Sequence, residues 1–219
     1  MRNKTAISSI ILLVFLYFPL FPQTHTSVPL GNQIYYILEQ AEIRGLCSPL
    51  PGTRPYTRSV VISAINEILD SPDTKKLTTV EREILEQYLE KYSKQINIEA
   101  GVTIDMARRH IFPAVSAYAA QLARDALSLA AINAVSAPQE KRAKEIAELA
   151  SELYQETAGL ETLLTETQGI GETLAQARAY SGKVRPAMDA VRSKADALEK
   201  LVSKDAWPFP GYEELLFKL

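Results

Sequence analysis

The sequence predicts an all-α protein, on three observations. Apolar residues recur at helical spacings of three and four over most of the chain, as in Ile146, Leu149, Leu153, Leu160 and Leu164. Glycine and proline crowd residues 27–73 and become rare from Leu77 onward, so the second part of the chain is free to form long helices. A last apolar series, Val184, Met188, Val191, Ala195, Leu198 and Val202, alternates steps of four and three, the seam of a left-handed coiled coil. The predicted architecture is a small helical N-terminal module, then long helices with an antiparallel coiled-coil hairpin and an aromatic, proline-stiffened docking tail.

Taken in order, residues 1–26 read as a signal peptide. Arg2 and Lys4 precede an apolar run from Ala6 to Phe18, which stops at Pro19, short of the ~20 residues a spanning helix needs. Any membrane contact is therefore expected through this segment alone. Residues 27–76 read as a helix-loop-helix module. Ile34, Leu38, Ala41 and Ile43 suggest one helix ending at Gly45, and Val60, Val61, Ala64, Ile65 and Ile68 a second ending before Pro72.

Residues 77–219 form the third part. Thr78 and Thr79, followed by Glu81 and Glu83, are capping signals for a long helix. Ile111, Val115, Tyr118, Leu122 and Leu129 share a stripe, the alanines of residues 114–134 permit close packing, and Pro113 is expected to kink the helix rather than end it. Gly169-Ile170-Gly171 is the expected reversal of the hairpin. In the tail, Trp207, Phe209, Tyr212, Leu215, Leu216 and Phe217 are the predicted docking residues, held out of helix by Pro208 and Pro210. Each would contribute roughly 1.5–3 kcal/mol if buried.

Chemistry is scarce by comparison. The balance of 24 Lys plus Arg against 26 Asp plus Glu offers no electrostatic footprint for nucleic acid. Cys47, the single cysteine, forms no internal disulfide and reads as a small buried or half-buried apolar residue. Only His25 and His110 exist, too few for a histidine-rich metal site, and His110 reads as a surface or capping residue. No phosphate-binding loop or nucleophile elbow is present. The pairs Glu145/Glu148 and Glu152/Glu156 lie near Lys141, Arg142 and Lys144, which suits a solvated face laced with ion pairs better than a metal site. No catalytic, cofactor-binding or metal residue is assigned.

Two resemblances bear on function. Residues 96–100 (Ile-Asn-Ile-Glu-Ala), 105–109 (Asp-Met-Ala-Arg-Arg), 111–115 (Ile-Phe-Pro-Ala-Val), 184–188 (Val-Arg-Pro-Ala-Met), 198–202 and 207–217 occur in the order and spacing of the C-terminal region of type III glutamine synthetases, which Tyr92 to Leu219 resembles. The resemblance implies an origin in an ATP-dependent, divalent-metal ligase of ammonia and glutamate that forms a large ring-shaped oligomer. That family's metal and nucleotide motifs belong to a catalytic domain with no counterpart in this sequence, so none of its catalytic residues transfers to a position here. Upstream, Gly45-Leu46 and Arg54-Pro55-Tyr56-Thr57-Arg58 resemble an S-layer-homology-type repeat of bacterial envelope proteins.

Three readings follow. The chain is a non-catalytic assembly module whose tail binds protein, either another copy or a glutamine synthetase core, in the cytoplasm. Alternatively it is an exported or periplasmic envelope protein that uses its helices as a spacer or interaction arm. The third is a chimeric open reading frame joined near Leu85 to Ile96. None requires a cofactor in this chain, although the parent family uses ATP and a divalent metal.

Overall fold

The computed structural model describes residues 27–210. These are all-α: helices account for the regular structure, and the only strand-like feature among them is an isolated antiparallel bridge between Ser27 and Thr57. The chain divides into two compact units, Met1–Ser71 and Pro72–Leu219. The signal-peptide residues 1–26 and the tail residues Tyr212, Leu215, Leu216 and Phe217 lie outside the described residues.

In the first unit, helix α1 (Ile34–Ile43) packs against α2 (Arg58–Asp70). Gly45 ends α1 as the sequence requires. Its φ of +70° is left-handed, and the turn closes with Gly45 N–H donating to Glu42 O (2.9 Å) and Leu46 N–H to Ala41 O (2.9 Å). That pair of bonds is a Schellman motif, for which glycine is favoured because it has no Cβ to clash. Ile34, Leu38 and Ala41 are buried as expected, together with Tyr35 and Ile37. Ile43 is not: it is 77% exposed. Nine residues at 3.6 per turn place it about 180° from Ile34, on the opposite side of the helix. On α2, Val61, Ala64, Ile65 and Ile68 are buried with Ile62, Val60 is half-buried, and Thr57 caps the first turn by accepting from Val60 N–H (3.4 Å).

The connection between these helices is tied down by carboxylates and by Tyr35. Glu67 accepts from Ser48 N–H (2.7 Å), and Glu42 accepts from Leu50 N–H (2.9 Å). The Tyr35 hydroxyl donates to Val28 O (2.6 Å) and accepts from Tyr56 N–H (3.1 Å), while Val28 N–H donates to Tyr56 O (2.9 Å). Arg54 lies 4.8 Å above the Tyr35 ring and pairs with Glu39.

The second unit is built from three helical arms. The first begins at a capping box: Thr78 Oγ1 accepts from Glu81 N–H (3.2 Å) and Glu81 Oε2 accepts from Thr78 N–H (2.8 Å). Helix α3 (Thr79–Asp105) runs into a π-helical turn, Met106–Ile111, and continues as α4 (Phe112–Ala131). Pro113 explains the wide turn. A proline ring clashes with the carbonyl four residues back, here that of Arg109, and lacks an N–H to bond it. Widening the turn lets Phe112 N–H donate to Ala107 O instead, so the helix passes the proline without ending.

Asn133, at φ +57°, stops α4 in a second Schellman motif, with Asn133 N–H donating to Ala130 O (3.0 Å) and Ala134 N–H to Leu129 O (2.9 Å). The second arm, α5 (Ala137–Gln168), follows with Pro138 in its first turn and ends at Gly169. The reversal thus falls at Gly169-Ile170-Gly171, as read from sequence. The third arm comprises α6 (Thr173–Ala179), a π-turn at Tyr180–Val184 and α7 (Arg185–Glu199). Pro186 repeats the device of Pro113, with Arg185 N–H donating to Tyr180 O.

α5 packs against both α4 and α7, while α3 packs mainly on α6. Ile146, Leu153, Leu160 and Leu164 of the outgoing arm are buried, as are Val184, Val191, Leu198 and Val202 of the return arm; Leu149, Met188 and Ala195 are half-buried. On the first arm Ile111 and Val115 are buried, and Tyr118, Leu122 and Leu129 are half-buried around the small residues Ala119 and Ala126. Polar residues inside this core turn back on their own helices: Ser93 Oγ donates to Leu89 O (2.9 Å) and Thr157 Oγ1 to Leu153 O (2.7 Å).

Candidate docking surface

The π-turn at Met106–Ile111 is where the described tail comes to rest. After α7 a short 3₁₀ turn, Lys204–Ala206, packs on α4, and the chain then places Phe209 against His110 with ring centroids 5.8 Å apart. Trp207 meets Phe209 edge-on at 6.3 Å. Trp207 and Phe209 are each half-buried, and of the two it is Phe209 that meets the chain's own helical arm, at His110. Pro208 and Pro210 keep this stretch out of helix. The sequence offered no sign that His110 would be the platform beneath Phe209, because nothing local links the two residues.

The platform itself is braced. Arg108 holds Glu161 of α5 through two contacts, Nη1 to Oε1 (3.1 Å) and Nη2 to Oε2 (2.5 Å), and Arg109 Nε sits 2.9 Å from Asp105. A two-pronged guanidinium–carboxylate pair fixes geometry better than a lysine would. On α5, Glu152 pairs with Lys194 Nζ (2.7 Å) of α7 and raises the ammonium pKa through that hydrogen bond. Glu152 is therefore committed to an ion pair between arms.

A second concave feature lies between α4 and α5. It is an open groove of about 610 Å³ floored by Ala119, Ala123, Ala147 and Ala150 and walled at one end by Phe112 and Tyr154, whose rings are 5.3 Å apart. Its alanines would admit apolar side chains, and Ser116, Lys144 and Ser151 also line it. In the first unit, Cys47 borders a shallow depression with Asn66, Glu67 and Asp70. Burial, then the nearby carboxylates of Glu67 and Glu42, push its thiol pKa up, opposite to what a nucleophile needs. Cys47 should therefore alkylate more slowly at pH 8 than free glutathione, and the iodoacetamide rate of Glu67→Gln should exceed that of the parent. A parent rate equal to or above glutathione's would contradict this. Among the described residues no group of three or more His, Cys, Asp or Glu could hold a metal ion, and no helix is long and apolar enough to cross a membrane.

The second unit is thus an all-α body in which Phe209 rests on a helical turn braced by Arg108 and Glu161. Comparison with known proteins then shows what the chain is similar to. A family model described as the glutamine synthetase C-terminal domain matches residues 66–130. The chain is 31% identical over 186 residues to the type-3 glutamine synthetase of Dictyostelium discoideum, an overlap covering 82% of this chain and 25% of that protein. It is 30% identical over 142 residues to a glutamine synthetase of Bacteroides fragilis (61% and 19%) and 28% identical over 200 residues to one of Butyrivibrio fibrisolvens (83% and 26%). The chain thus spans about a fifth to a quarter of the length of these relatives. The matched segment 66–130 runs unbroken across Leu85 to Ile96, and an overlap of 82% exceeds what Tyr92 to Leu219 alone could supply.

Proposed function

We propose that this chain is the C-terminal helical module of a type-3 glutamine synthetase, a non-catalytic part that holds protein to protein through its tail. The observation that carries the reading is the C-terminal-domain match at residues 66–130, within overlaps that take in most of this chain but a minor share of each relative. The parent reaction, ATP-dependent ligation of ammonia to glutamate with a divalent metal, belongs on this reading to a core that the chain binds. Trp207 and Phe209 anchor the tail on His110, and Tyr212, Leu215, Leu216 and Phe217 follow as the residues that meet a second copy or a synthetase core. Export remains the competing proposal, with the charged start and apolar run of residues 2–18 as its support; N-terminal sequencing of the cellular protein discriminates the two.

The test is to co-express the chain with the Dictyostelium synthetase lacking the segment that matches it. Phosphate release from ATP with glutamate, ammonium and magnesium is then assayed. The chain alone should give no turnover, should co-elute with the truncated synthetase, and should lose that association when Leu215 and Leu216 are both changed to Asp. Turnover by the chain alone, or separate elution, would overturn the reading.

A further inference from the structure

The first arm carries an exposed apolar ridge, and the same unit carries a groove of matching form. Ile98, Val102 and Met106 remain 61%, 53% and 38% exposed in the folded chain and stand four residues apart, on one side of the helix. Three large apolar side chains on one exposed line call for a covering surface.

The groove between α4 and α5 has the opposite relief. Its floor is made of small residues that also recur in steps of four: Ala119 and Ala123 on α4, and Ala143, Ala147 and Ser151 on α5. Ridges with a four-residue step pack into grooves of the same step at about −50°, the commonest crossing of packed helices. The lengths agree too, since Ile98 to Met106 and Ala143 to Ser151 are each eight steps along a helix, about 12 Å.

Charge points the same way. Lys144 lines the groove on α5, Arg124 follows Ala120 by one turn on α4, and neither forms an ion pair among the described residues. Glu99 and Asp105 lie three residues before and after Val102, one on each flank of the ridge. Their contacts include Gln95 and Arg109 on the same arm, exposed pairings of the kind that are worth little and are readily exchanged. An acid-flanked ridge is thus matched by a base-rimmed hollow. The two cannot meet within one chain, because α4, one wall of the groove, continues the arm that bears the ridge.

We propose that the Ile98–Val102–Met106 ridge of one copy docks in the α4–α5 groove of a second copy, with Glu99 and Asp105 set toward Lys144 and Arg124. Each copy offers both surfaces, so the contact is head-to-tail. It is smaller than a permanent interface and is populated at high protein concentration. The contact rests neither on the tail nor on the synthetase reading, and each can fail without the other.

Two variants of the full chain test it, both changed at exposed positions. Val102→Asp spoils the ridge and leaves the groove, whereas Ala123→Glu together with Ala147→Glu blocks the groove and leaves the ridge. Sedimentation velocity with one fluorescently tagged copy measures the association of each variant with itself and of the two with each other. The mixed pair keeps one intact ridge and one intact groove, and should associate about tenfold more tightly than either variant does with itself. Adding Lys144→Glu to the Val102→Asp copy should weaken the mixed pair, by a factor that shrinks at high salt. A mixed pair no tighter than the variants alone, or one indifferent to Lys144→Glu, would overturn the proposal.

Discussion

Leu153→Ala should lower the stability of the unit from Pro72 onward by roughly 3–5 kcal/mol, the upper part of the range for a fully buried leucine. Leu153 has no exposed surface and sits midway along α5, the arm that packs against both α4 and α7. α5 is packed between α4 and α7, which limits how far the surrounding residues can collapse into the hole, and Arg108–Glu161 and Lys194–Glu152 add contacts between the arms. Thr157, one turn on, donates its hydroxyl to the Leu153 carbonyl and so stays in place whichever side chain position 153 carries. Trp207, the only tryptophan, lies in the same unit, so its fluorescence during urea unfolding reports the loss directly. Leu153→Met, which conserves volume, should cost less than about 1.5 kcal/mol. A loss below about 1 kcal/mol for the alanine variant would mean that α5 is not the centre of this unit.

The parts of this fold legible in the sequence are those fixed by local backbone chemistry. Thr78 with Glu81, Gly45, and the Gly169-Ile170-Gly171 reversal each act within a few residues, and each stands where the sequence put it. Pro113 was legible as a disturbance. The π-turn that absorbs it was not, because whether a helix kinks, breaks or widens depends on what packs along it. Pro186 carried the same signal and forces the same solution. Asn133 was harder to read: its left-handed φ is an ordinary use of asparagine at a helix end, but the alanine-rich run around it favours continued helix. Seams within one arm could be read from spacing, whereas the pairing of α4 with α5 could not, since residues that meet across arms share no local pattern. The same limit applies to the docking surface. Trp207 and Phe209 announce a need for burial, but His110 as the surface beneath Phe209 is a tertiary fact.

Tyr35→Phe should destabilise the first unit by about 2–4 kcal/mol while leaving its packing unchanged. The side chain is 2% exposed, and its hydroxyl joins two otherwise separate backbone positions, donating to Val28 O and accepting from Tyr56 N–H. Phenylalanine keeps the ring, so the tilted contact with Tyr56 at 5.1 Å and the Arg54 guanidinium above the ring both remain. What is lost is one partner for a carbonyl and one for an N–H beside Val28 and Tyr56, both buried, at roughly 1–3 kcal/mol for each group left unsatisfied. The backbone bond from Val28 N–H to Tyr56 O, part of the bridge between Ser27 and Thr57, would remain. Amide exchange resolves the effect residue by residue: Tyr56 N–H should exchange at least tenfold faster in the variant, and Leu46 N–H, bonded within the α1 turn, should change less. Unchanged exchange at Tyr56 would mean that another acceptor, such as water, takes the hydroxyl's place and that the Tyr35 bonds do not hold this segment.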